Sequence, residues 1–136
     1  MRKLLTAAII IAASFSLSPA QGASQSAQPQ MSREQIVKMA RAPLQPDGIG
    51  RAVVIVEDES GNPVPSAFAK LESNWGTDNF CESWASTGAE GAVALNPIHM
   101  GQLKLVVKAK GYQTQKLDVQ ASSLSEPIHV TLTKKK

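Results

Sequence analysis

Along most of the chain, apolar and polar positions exchange every one or two residues, the spacing of β-strands. Residues 51–57 contain the β-branched run Ala52-Val53-Val54-Ile55-Val56, suited to a strand covered on both faces. Residues 67–72 alternate, with Ala67, Ala69 and Leu71 on one side and Phe68, Lys70 and Glu72 on the other. Residues 80–87, 92–95, 103–109, 113–119 and 128–133 bring the count to seven short strands. Turns separate them at Gly61-Asn62, Gly88, Gly91, Asn96-Pro97, Gly101 and Gly111, and Pro63 and Pro65 stiffen the exit from the first. Gly61 and Gly111 fall where a hairpin demands positive φ. The pattern predicts an all-β fold over residues 51–133, a seven-stranded antiparallel Greek-key β-sandwich. Helical spacing occurs only at 33–41. Ser32 and Gln35 form a capping box there, Ile36, Met39 and Ala40 share a face, and Pro43 stops the helix.

The ends read differently. Residues 1–20 have the parts of a cleaved signal peptide: Arg2 and Lys3, an apolar stretch from Leu4 to Leu17, and the small-residue site Ser18-Pro19-Ala20. They predict a periplasmic or secreted protein with no transmembrane segment after cleavage. Residues 21–50 read as a flexible leader, the short helix, and a Pro/Gly linker; residues 134–136 form a basic tail. The whole-chain charge is +3. Residues 51–133 carry six basic against nine acidic side chains, a net −3, which is no footprint for phosphate backbones, so no nucleic-acid partner is expected. A lone cysteine, Cys81, permits no internal disulfide, and the fold must stand on packing. Its thiol reads as a small buried hydrophobe, with a free or intermolecularly bonded thiol as the alternatives. The oligomeric state is not legible.

Little points to catalysis. His99 and His129 are thirty residues apart, without metal-ligand spacing, so neither a metal site nor any other cofactor is expected. A Cys81/His hydrolase has no local signature, and the chain reads as non-enzymatic. The segment Ser73 to Trp84 holds three of the chain's six aromatic residues. Planar rings beside amides and carboxylates suit a carbohydrate or peptide, which makes Asn74, Trp75, Asp78 and Asn79 the candidate ligand-binding residues. Within that segment Trp75 is expected to be exposed on its loop. Phe80 and Trp84 share a strand face, with at least one of them in the core.

Val53-Val54-Ile55-Val56, Gly61-Asn62-Pro63-Val64-Pro65-Ser66-Ala67, Gly91-Ala92-Val93-Ala94-Leu95, the run from Gly101 to Tyr112, and Val130-Thr131-Leu132 together resemble the carboxypeptidase regulatory-like domain family. The resemblance covers about residues 52–132. It departs from the family pattern at Gly88, at Ala92 and Val93, and at Leu103. It implies a transthyretin-like sandwich whose shared motifs are structural turns: Gly61, Pro63, Pro65, Gly91, Gly101 and Gly111. The expected function is an exported, non-catalytic module that binds a protein, peptide or glycan of the cell envelope. A small carbohydrate-binding protein built on the Trp75 loop is the first alternative, and a cryptic Cys81/His hydrolase the second.

Overall fold

The structure, a computed structural model, describes residues 31–45 and 48–136. The expected signal peptide, its cleavage site and the leader up to residue 30 lie outside the described residues. The described chain forms α1 (Arg33–Val37), β1 (Ile49–Gly50), β2 (Val53–Asp58), β3 (Phe68–Asn74), β4 (Phe80–Ser86), β5 (Ala92–Ala94), β6 (Ile98–His99), β7 (Gln102–Lys108), β8 (Gln115–Val119), a 3-10 helix (Ala121–Ser125) and β9 (Ile128–Leu132). Each of the seven segments with a strand pattern contains a strand. Two further two-residue strands, β1 and β6, pair with each other in stretches whose prolines and glycines read as linker and turn.

Two larger sheets face one another, ordered β5-β2-β9 and β4-β3-β7-β8, in an all-β, sandwich-like arrangement. Alternation decides what each contributes to the core. Val54 and Val56 come from β2, Ala69 and Leu71 from β3, Leu105 and Val107 from β7, and all are buried in one cluster with Leu95, Met100 and Leu132. Burying such side chains stabilises by about 1.5–3 kcal/mol each before the entropy of ordering them. The pairing is not wholly antiparallel as expected, because β9 runs parallel to β2. After β8 the chain passes through the 3-10 helix, seated by the fully buried Leu124, and crosses to the other sheet. That crossover delivers β9 beside β2 in the same direction, which side-chain alternation cannot specify.

The second face of β2 also needs cover. Val53 and Ile55 are buried although they point away from the core cluster. On that face Glu57 takes Arg33 Nη2 at 3.0 Å, the Arg33 amide donates to the Glu90 carboxylate, and α1 lies against β5. The capping box forms: Gln35 N donates to Ser32 Oγ at 3.3 Å and Ser32 N to Gln35 Oε1 at 2.9 Å. The helix ends at Val37 instead of continuing to residue 41. The amides of Met39 and Ala40 reach back only three residues, and Arg41 already exchanges backbone bonds with Arg51. A helix of five residues cannot sustain itself, so its docking holds it. At the other end Lys135 N donates to the Gly111 carbonyl at 2.9 Å, which ties part of the basic tail to the β7–β8 turn.

The β2–β3 turn is organised by Asp58, whose Oδ1 accepts the amides of Ser60 and Asn62, each at 2.9 Å, ahead of Gly61 at φ 83°. The Asn62 amide, more than any other group, holds the Asp58 carboxyl below its ordinary value of 3.8. A depressed folded-state pKa means that the stabilisation is complete above 3.8 and is lost as pH falls through the lower folded value. Wild type should therefore melt above Asp58→Asn at neutral pH, and the gap should close below that value. A gap independent of pH would show that the charge contributes nothing. Farther along the same turn, Thr87 Oγ1 donates to the Val64 carbonyl at 2.7 Å and accepts the Ala67 amide at 2.9 Å, so this buried hydroxyl is satisfied.

Candidate functional site

The aromatic segment singled out from sequence is the β3–β4 hairpin and its loop. Trp75 N donates to the Asn79 carbonyl at 3.1 Å, and Gly76 at φ 154° closes the turn. The Trp75 ring is half-buried and leans on His99, with centroids 4.3 Å apart and planes tilted by 37°. Asn74, Asp78 and Asn79 are exposed. The expected ligand cluster is thus divided. Its polar members face solvent, while its ring is turned onto the β6–β7 connection, where Gly101 leaves room for it.

Phe80 and Trp84 correct the expectation in the opposite sense: they are 51% and 56% exposed. The reason lies in the period of β4. Cys81, Ser83 and Ala85 are small and turn toward the core, and the even positions Phe80, Glu82, Trp84 and Ser86 take the outer face. A charged residue between two aromatics at a spacing of two was the available signal, since a strand face that carries Glu82 is a solvated face.

The register builds the rest of this surface on the outer side of β4-β3-β7-β8. Trp84 lies across from Lys70, which lies across from Val106; Glu82 lies across from Glu72, and that from Lys104; Phe80 lies across from Asn74, and that from Gln102. Lys70 Nζ binds Glu72 Oε1 at 2.7 Å and stands 4.0 Å from Glu82 Oε2, which relieves the two facing carboxylates. The hydrogen bond to Glu72 raises the Lys70 pKa above 10.5. The surface therefore offers two aromatic faces beside fixed charges of both signs.

The chemistry elsewhere is sparse. The Cys81 thiol donates to the main-chain carbonyl of His99 at 3.5 Å, which also accepts Ser73 Oγ at 2.7 Å. That contact uses the backbone of His99, while its ring meets Trp75. His129 is exposed on β9. Among the described residues no group of three or more His, Cys, Asp or Glu side chains is placed to hold a metal ion, and no helix is long and apolar enough to cross a membrane. In comparison with known proteins, no family model matches the chain and no curated protein is similar to it.

Proposed function

We propose that the chain is an exported, non-catalytic interaction module, a seven-stranded Greek-key sandwich of the carboxypeptidase regulatory-like kind fringed by β1 and β6. It uses the outer face of β4-β3-β7-β8 to hold a protein or peptide of the cell envelope. One observation carries the reading: Phe80 and Trp84 are more than half exposed on a single sheet face, beside the Lys70–Glu72–Glu82 group. Exposed aromatics grouped with charges are the anchors that protein partners bury. Trp75, half-buried against His99, offers less open ring surface than the two outer aromatics, which supports the protein or peptide reading over the carbohydrate one.

A peptide library and a glycan array, followed by titration of tryptophan fluorescence, test this reading. Peptide binding is expected, and Phe80→Ala with Trp84→Ala should weaken it by about tenfold or more, equivalent to about 1.4 kcal/mol. Glycan binding without peptide binding would sink the proposal. Export has its own check. Intact mass of soluble protein from the envelope or medium should begin near Gln21, and retained Met1 would contradict it.

A further inference from the structure

The outer edge of β4 is left open by the fold. In the β3–β4 hairpin Trp75 N donates to the Asn79 carbonyl and Thr87 N to the Ala67 carbonyl, which sets the phase: odd-numbered residues exchange hydrogen bonds across the ladder. The amides and carbonyls of Phe80, Glu82, Trp84 and Ser86 therefore point away from β3, and among the described residues none has a backbone partner there. β4 runs for seven residues without a proline, lysine or bulge to blunt that edge, and Glu82 is its one charge. By contrast β5 has three residues with α1 against it, and β8 carries Lys116 and Asp118. A second observation falls on the inner side of the same strand. Ser83 is only 4% exposed, yet its Oγ has no hydrogen-bond partner among the described residues, an arrangement that native proteins avoid.

We infer that β4 pairs antiparallel with β4 of a second copy of this chain, about a two-fold axis through Ser83, and joins two four-stranded sheets into one. In that register Ser83 faces its own counterpart at a non-hydrogen-bonded position, where Cβ atoms approach to roughly 4.5–5.5 Å; each Oγ is closed off from solvent in the single chain, and a turn about χ1 brings the two hydroxyls together. Glu82 faces Trp84 of the second copy, so no like charges meet and the indole N–H has a carboxylate within reach. On the diagonals Trp84 neighbours Trp84 and Phe80 of the second copy, a separation that aromatic side chains span. The two registers one step away in the same hydrogen-bond phase are poorer. One sets Glu82 against Glu82, and the other carries Phe80 past the strand end to Gly88. The pairing goes beyond the ligand-binding reading and does not rest on it, because it is argued from the main-chain groups of the β4 edge, although the two share Phe80 and Trp84.

Sedimentation equilibrium of the chain at concentrations up to roughly 100 μM, a range that captures a weak dimer, tests the inference. A dimer is expected, and a monomer throughout overturns it. Glu82→Pro removes an outward amide that β3 does not use, so the variant should keep its far-UV circular dichroism while its dimer dissociation constant rises at least about tenfold. A folded Glu82→Pro protein that dimerises as well as wild type overturns the inference. If Glu82→Pro fails to fold, Ser83→Cys in a Cys81→Ser background decides: mild oxidation should yield a disulfide-linked dimer, and dimers that do not cross-link overturn the inference. Peptide titration of the wild-type chain below its dimer dissociation constant reads the outer face separately: peptide binding with no dimer up to roughly 100 μM overturns the pairing and leaves the ligand reading standing, and a dimer without peptide binding does the reverse.

Discussion

Gly101→Ala should lower the stability of the domain by at least about 3 kcal/mol, a large share of what a domain of this size possesses. A Cβ at Gly101 would stand 2.2 Å from the Asn74 carbonyl oxygen, 2.6 Å from its carbon and 2.7 Å from Trp75 Cβ. Two of these atoms are backbone, and none can rotate away. Relief would require prising the end of β3 from the start of β7, where Asn74 and Gln102 are in register. Urea denaturation followed by circular dichroism measures the loss, with Gly61→Ala as the comparison. Gly61 has φ 83° but nothing within 4 Å of its would-be Cβ, so only the conformational cost of about 1–2 kcal/mol applies. Equal losses in the two variants would show that the close approach at Gly101 is not what matters.

Trp75→Ala should cost about 2 kcal/mol, and Trp84→Ala no more than about 0.5 kcal/mol at concentrations where monomer prevails. Trp75 is half-buried and stacks on His99, so its removal forfeits both the ring contact and the cover over the hairpin loop. Trp84 is 56% exposed on the sheet face and leaves no cavity behind. Each variant removes one of only two tryptophans, so the unfolding should be followed by circular dichroism and not by fluorescence. The reverse order of losses would mean that the loop does not pack on His99 and that Trp84 is held by the core. The ligand experiments separate the two rings in the opposite sense, since truncation of Trp84, and not of Trp75, should weaken peptide binding.

The strand positions were legible because burial leaves a local trace. The run Val53 to Val56 has no polar residue, and in the structure all four are buried, two against the opposite sheet and two beneath the helix side. Alternation at Ala67, Ala69 and Leu71 likewise marked the face of β3 that turns inward, and Ser32 with Gln35 marked the helix start. These features depend on neighbours within a few residues. The site was less legible. Trp75 and Trp84 are both tryptophans close in sequence to polar residues, and what separates them is that His99 and Gly101, from a distant connection, come to lie against the first and not the second.

By itself, then, the sequence determined that the described domain is built from short strands with one brief capped helix, since side-chain period, turn glycines and capping residues act through local backbone geometry. It also determined which faces of β2 and β3 are apolar enough to be buried. Only the tertiary structure decided that β9 joins β2 in parallel, that β1 and β6 pair, and that α1 lies against β5 with Arg33 reaching Glu57 of β2, because strand direction and partner choice are set by how the chain crosses between layers. The same long-range packing decided the functional surface. It drew Trp75 down onto His99, left Phe80 and Trp84 in solvent, and placed the unpaired edge of β4 beside them.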